Sequence, residues 1–289
     1  MISPFFRRKL PLLAALLSLA VAAPAVAEEA PPKPTEDNFF TTTNVQLLWG
    51  GGFSDAQLGY QTKTESMFTL TLNNYTQFKY GDSFFFVDMY QGDFVKYLPN
   101  GTQVPNGNAA LYAEWHPRIL INKFIDPKAP PAFGFIGNWG VAGEINVGNN
   151  FSAYLLGPSV DLFLPWNIYV GMAFYYRYSQ LWLPPNNQGF AGGSVYTHTW
   201  QFSPYWTVPF AIGPVPFLFT GFLDMYQYST GGMDVMFQPE LLVDVLAPFG
   251  GKKNTFFAGI EWYLHSYVFD GGTRHTVSAP QVMVQWNIH

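Results

Sequence analysis

The sequence predicts an all-β protein: a transmembrane antiparallel β-barrel of about twelve strands. Large apolar residues alternate with polar or small ones from about residue 40 to the end. The alternation comes in runs of roughly ten residues, the length of a tilted membrane strand. No stretch after the N-terminal one supplies the roughly twenty apolar residues of a spanning helix. Trp166 to Trp182 shows the pattern best. Ile168, Val170, Met172, Phe174, Tyr176 and Tyr178 share one parity, while Asn167, Tyr169, Gly171, Ala173, Tyr175, Arg177 and Ser179 share the other. Successive side chains of a strand point to opposite faces, so a period of two gives a lipid face and a lumen face.

The N-terminus sets the compartment. Arg7, Arg8 and Lys9 precede an apolar run from Leu10 to Ala23, followed by the small-x-small tripeptide Ala25-Val26-Ala27. Basic, apolar and small-residue parts in that order form a secretory signal over 1–27, too short to be an anchor. Residues 28–40, rich in Pro and acids, are expected as a disordered tail, and 41–289 form the barrel. Loss of Arg7, Arg8 and Lys9 lowers Lys+Arg from 14 to 11 against 19 acidic residues, a net charge of −8. That balance argues against nucleic acid as a partner. The chain has no cysteine, so the expected exported protein is held by its ladders and packing alone. With 11% charged and 19% aromatic residues, it is too apolar for disorder. The composition and pattern fit the outer membrane of a Gram-negative bacterium, with the lipid bilayer and its lipopolysaccharide as surroundings.

The runs fall near 43–50, 65–78, 83–94, 108–121, 134–147, 150–163, 166–182, 195–209, 215–228, 234–247, 254–268 and 275–288. Tight links at Tyr80-Gly81-Asp82, Leu164-Pro165 and Ala211-Ile212-Gly213-Pro214 suit periplasmic turns. The longer links 52–64, 95–107 and 184–194 suit the external side, whereas Ile121 to Pro131 is long on the side expected to be short. Pro158, Pro204, Pro239 and Pro280 fall inside strands. A missing N–H there marks an edge or a bulge, and bulges are expected at Gly157-Pro158 and at Pro280. Trp49, Trp166, Tyr178, Trp182, Tyr196, Trp206 and Trp262 carry the lipid parity near run ends, as an interfacial girdle requires.

Parity also sorts the polar residues. Glu114, His116 and Arg118 fall on one face, opposite Trp115, Pro117 and Ile119. Lys79, Asp88, Glu144, Arg177, Asp224, Glu240, Asp244, Glu261 and His265 share the inner parity. A charge in hydrocarbon costs several kcal/mol, roughly 2–4 at mid-depth, so inward placement is expected. The inner parity also holds Tyr75, Phe84, Phe86, Tyr90, Tyr169, Tyr175, Tyr205, Phe222, Tyr226 and Tyr263. Rings stack on flat solutes, and amides such as Asn73, Gln77, Gln201 and Gln238 bind hydroxyls. A channel for small, neutral, partly aromatic solutes follows. Catalysis is not expected: His265 and Ser266 are adjacent and so face opposite ways, and His198 has the lipid parity. No metal or cofactor motif stands out.

The stretch Leu111-Tyr112-Ala113-Glu114-Trp115-His116-Pro117-Arg118-Ile119-Leu120-Ile121-Asn122-Lys123-Phe124 resembles the nucleoside-specific outer-membrane channel family (Tsx-like, or OmpK family). So do Lys79-Tyr80-Gly81-Asp82 leading into Phe84-Phe85-Phe86-Val87-Asp88, Asp161 with Leu164-Pro165, and the closing Gln285-Trp286-Asn287-Ile288. The resemblance implies a twelve-stranded monomeric barrel that passes nucleosides, with Glu114, Pro117, Arg118 and Lys123 matching the family pattern. The chain departs from that pattern in ending at His289 rather than an aromatic residue, and in sparser lumen charges. The alternatives are a structural or surface-exposed barrel that transports nothing and, less favoured, a barrel lipid hydrolase.

Overall fold

The computed structural model describes residues 39–55, 60–62, 66–97, 103–105, 107–126, 131–149, 151–183, 193–227, 232–269 and 273–288. The expected signal at 1–27, most of the tail at 28–40, much of the three external links and His289 lie outside them. Twelve strands close into one antiparallel barrel. In chain order these are β1 (Phe40–Gly51), β4 (Ser66–Phe78), β5 (Gly81–Gln91), β8 (Ala109–Leu120), β9 (Ile136–Gly148) and β10 (Phe151–Leu164). They continue with β11 (Ile168–Leu183), β12 (Gly193–Ile212), β13 (Val215–Gln227), β14 (Met233–Asp244), β15 (Phe256–Phe269) and β16 (Thr273–Ile288). Each of the twelve expected runs is one of these strands.

Each barrel strand pairs with its sequence neighbours, and β1 pairs with β16 to shut the seam. Closure leaves no unpaired edge, which is what a sheet in lipid requires. Four short strands lie in the long links after β1 and β5, at the end expected to be external: β2 (Ser54–Asp55), β3 (Tyr60–Thr62), β6 (Phe94–Tyr97) and β7 (Gln103–Pro105). They form a separate sheet in the order β2-β3-β6-β7. The long link after β8 contains one short helix, α1 (Ile121–Ile125). Asn122 ties it to β9, donating to the Gly137 carbonyl and accepting from the Trp139 amide.

The expected bulges at Gly157-Pro158 and Pro280 are absent. Pro280 sits opposite Trp262 in an unbroken β15–β16 register. Around Pro158, Pro204 and Pro239 the ladder skips pairs, yet the register on either side is unchanged. A proline removes one donor without adding a residue, so it opens a ladder bond and leaves the phase intact. The register shift lies instead between Val160 and Leu162, against β9.

Side-chain parity holds around the barrel. Leu156 is 62% exposed and Val282 58%, while Glu144 and Asp161 are each 1% exposed. An apolar exterior around a polar interior is the inverse of a soluble protein, and it makes this a membrane-spanning barrel. The exterior rings find partners too. The indole N–H of Trp115 donates to Ser83 Oγ at 2.8 Å, and that of Trp262 to Ser278 Oγ at 3.1 Å. Tyr178 stacks on Tyr154 and Tyr196 in an aromatic belt. Trp206 lies against Phe219 and Phe237. The Trp182 side chain lies outside the described residues.

Asp244 is not a lumen group in mid-barrel. It ends β14, where its carboxylate accepts from the backbone amides of Leu246, Ala247 and Asn254. Asp244→Ala should destabilise the barrel by about 1–3 kcal/mol, because three backbone amides lose a charged acceptor. Heat titration of the gel-mobility shift between unheated and boiled protein measures that loss, and an unchanged transition temperature counts against the cap.

Candidate functional site in the barrel lumen

Three polar groups occupy the inner wall. The first is built on Arg118. Its guanidinium donates to both Asp82 oxygens at 2.7 and 2.5 Å, to Asp161 at 2.6 Å and to the Tyr205 hydroxyl at 2.6 Å. Asp82 faces Arg118 directly across β5 and β8. Asp161 comes from β10, where Asn138 and Tyr169 also hold it. One cation thus serves two buried carboxylates. Tyr205 reaches them by lying flat across Gly171, where a Cβ would sit 2.1 Å from the ring. A residue with any side chain at 171 would push that ring off the wall.

The second group surrounds His116. Its Nε2 lies 2.8 Å from Glu114 and its Nδ1 3.6 Å from Glu144. The Tyr112 hydroxyl donates to Glu114 at 2.5 Å. Arg177 bonds Gln201 and places its guanidinium 4.2 Å from the Tyr226 ring centroid. The partners of Glu114 are therefore two residues away on its own strand, whereas Arg118 has a cross-strand partner. Asp224, on the facing wall, accepts from Ser203 at 2.5 Å.

The third group is anionic. Asp88 accepts from Thr71 at 2.5 Å and from Tyr90 at 2.8 Å. Glu240 faces Glu261 directly across β14 and β15, and Glu261 accepts from Gln281 at 2.7 Å. Among the described barrel strands the inward bases are Arg118 and Arg177, with His116, His265 and, near the start of β16, His275. The inward carboxylates Asp82, Asp88, Glu114, Glu144, Asp161, Asp224, Asp234, Glu240 and Glu261 outnumber them. Crowded acids in a low-dielectric wall attract cations and repel anions.

The lumen is uneven. Side chains on the β8–β11 side (Arg118, Glu144, Asp161, Tyr175 and Arg177) are buried. On β4 and β5, Tyr75, Phe84 and Phe86 are partly exposed, as are Phe222, Asp224 and Tyr226 on β13 and Gln238 and Glu240 on β14. In the barrel order β5 and β13 stand six strands apart, on opposite walls. The accessible path therefore runs between a ring-lined wall and a wall that mixes rings with carboxylates.

One end of this path is covered. Phe53 and Phe94, from the links carrying the small sheet, are 4% and 3% exposed. They pack in one apolar cluster with Met67, Ala110, Tyr263, Tyr267, Val277 and Ala279 of the inner wall. Parity could not reveal this contact: Phe53 lies outside the alternating runs, and the inward phase of Phe94, at the end of the 83–94 run, does not say what it meets.

Of the residues read from the sequence, Glu114, His116, Arg118, Tyr175, Arg177, Asp88, Asp224, Glu240, Glu261, Tyr75, Phe84 and Phe86 all belong to inner-wall strands in the expected phase. Lys79 does not line the lumen. It sits in the exposed turn between β4 and β5, its ammonium 4.9 Å from the Tyr80 ring centroid. A hydrogen bond with Tyr80 holds it above the ordinary lysine range. Two-residue turns leave no room for an inward side chain at that position. His265 faces inward and bonds Asp234 at 2.9 Å, while Ser266 faces outward and meets Thr276. The residues that the sequence reading missed are Asp82, read as part of a turn, and Phe53 and Phe94.

No protein-family model matches the chain, and no curated protein matches it in sequence. Among solved structures it is similar to a NanC porin, at 12% identity over 84% of this chain and 98% of that one, with a TM-score of 0.41. It is similar also to the β domain of the Bordetella autotransporter BrkA, at 9% identity over 86% and 99%, TM-score 0.35. A third is Pseudomonas putida OprB, at 8% identity over 88% and 95%, TM-score 0.26. With identities this low, the functional reading rests on the lumen's own geometry.

Arg118→Ala should leave Asp82 and Asp161 buried without a cation, a loss of about 3–5 kcal/mol for breaking a buried pair. It should impair assembly and raise cation selectivity more than Glu114→Ala does. The folded fraction on an unheated gel and the reversal potential in a salt gradient read the two effects. Equal behaviour of the two variants would count against Arg118 as the organising charge.

Proposed function

We propose that the protein is a solute-selective channel of the Gram-negative outer membrane, for passive uptake of nucleosides or similar small neutral solutes. The observation that supports it is the pair of accessible walls, Tyr75, Phe84 and Phe86 facing Phe222, Asp224, Tyr226 and Glu240. A base stacks on rings with about 1–3 kcal/mol per contact, while carboxylates and amides accept and donate to ribose hydroxyls. Successive weak sites of this kind let a solute enter and leave, as conduction requires. Anions are disfavoured by the excess of inward carboxylates. The same reading takes the working unit to be a monomer, since each barrel holds its own lumen. Adenosine or thymidine at roughly millimolar concentration should reduce the ion current of the reconstituted protein, because a stacked base obstructs a narrow path. Glucose should reduce it far less. Equal block by both solutes would point to an unselective pore.

A second reading, a barrel that transports nothing, is favoured by the Phe53 and Phe94 cover. The two are separated by removing it. Phe53→Ala combined with Phe94→Ala should raise single-channel conductance if the rings stand in the path. Absence of conductance in both the wild type and this variant would leave the non-transporting barrel.

A further inference from the structure

We propose that Glu114, His116, Glu144 and Asn146 form a divalent-cation site on the lumen wall, suited to an ion of the zinc class. The register of β8 and β9 sets Glu114 opposite Asn146, and by the same offset His116 opposite Glu144. One donor atom from each of Glu114, His116 and Glu144 lies within 4.8 Å of the others. Small side-chain rotations bring such a set around an ion with bonds of about 2.0–2.2 Å.

The two carboxylates flank the imidazole, Glu114 at Nε2 and Glu144 at Nδ1, so an ion bound at one nitrogen draws the other carboxylate towards it. In each, Oε2 faces the imidazole, at 2.8 Å for Glu114 and 3.6 Å for Glu144. Each Oε1 is held from behind. Tyr112 donates to Glu114 Oε1 at 2.5 Å, and Asn146 Nδ2 to Glu144 Oε1 at 2.9 Å. Gln201 Nε2 approaches that same Glu144 oxygen at 3.4 Å. Outer hydrogen bonds that fix ligating side chains are the usual surroundings of a metal.

An independent observation points to a missing ligand. Asn146 is 3% exposed, and its Oδ1 has no hydrogen-bond partner. Nδ2 of the same amide is bound to Glu144 and the residue pairs with Glu114 across β8 and β9, so the amide belongs to the cluster's immediate surroundings. A buried acceptor with no donor is rare and costly, and an ion would satisfy it. One imidazole nitrogen with carboxylate and amide oxygens suits Zn²⁺, Ni²⁺, Co²⁺ or Mn²⁺, whereas Ca²⁺ and Mg²⁺ prefer oxygen alone. His116 is a quarter exposed to the lumen, so an ion can reach it, and the surrounding acids concentrate cations. The Arg177 guanidinium bonds Gln201 and lies over the Tyr226 ring, and its positive charge works against the ion, so the two carboxylates have to outweigh it.

Titration calorimetry of the purified full chain in detergent, stripped with a chelator, tests the site with Zn²⁺ as the probe. One zinc per chain is expected, with Ca²⁺ giving no comparable binding. His116→Ala should weaken zinc at least about tenfold. Asn146→Asp, which puts a carboxylate where the bare amide oxygen lies, should tighten it. His198→Ala, which removes an exterior imidazole bonded to Tyr176, should change nothing. Gel mobility before heating confirms that each variant is folded, and the isosteric Glu114→Gln replaces His116→Ala if that variant does not fold. Absence of zinc binding, or binding that both His116→Ala and Glu114→Gln leave intact, overturns the proposal. The readout is binding rather than transport, so it stands or falls independently of which solute the lumen passes.

Discussion

Hydrocarbon offers a backbone no hydrogen bonds, and that constraint governs the rest of this structure. Every N–H and C=O in the spanning region has to find its partner inside the sheet, and an antiparallel sheet does so only by closing on itself. The closing seam is β1 against β16, with continuous register from Thr43–Ile288 to Gly50–Gln281. Side chains reinforce it from within, where Gln46 donates to Gln285 at 2.9 Å. The prolines inside the strands are tolerated because a proline removes at most one ladder bond and leaves the register in place. Once the sheet is closed, alternation has only two destinations, lipid and lumen.

The second consequence is electrostatic. Charges excluded from the lipid face converge on a confined interior, where water is scarce and unpaired charge is expensive. Arg118 answers this by dividing its donors between two carboxylates and a phenol, and Gly171 gives up its side chain so that the Tyr205 ring can reach it. The His116 group answers it differently, with an imidazole set between two acids. Around Asp88, Glu240 and Glu261 the described partners are hydroxyls and amides rather than bases. The resulting contrast, between the acids that Arg118 and the histidines meet and the group Asp88, Glu240 and Glu261 that they do not, gives the lumen its sidedness.

Length asymmetry adds the third element. The links after β1 and after β5, on one end of the barrel, are long enough to pair into a sheet of their own. Two aromatic residues of those links then fold back against Tyr263 and Tyr267. Burying Phe53 and Phe94 removes apolar surface from water at the mouth, so the same contact that stabilises the links also narrows the entrance.

The sequence by itself determined the strand count, the approximate limits of every barrel strand and the face on which nearly every candidate side chain lies. Those properties are local, because the period of two is set by backbone geometry and reads directly from neighbouring residues. Lys79 escaped because the alternation continues formally into a turn, where the strand geometry behind it has ended. Only the tertiary structure decided which inward groups meet. Arg118 lies 36 residues from Asp82, 43 from Asp161 and 87 from Tyr205, and no local pattern links such distances. Register and barrel closure bring them together, as they set Glu144 and Asn146 beside Glu114 and His116. The Phe53 and Phe94 cover was equally hidden, since the burial of a link residue depends on what the closed wall presents to it.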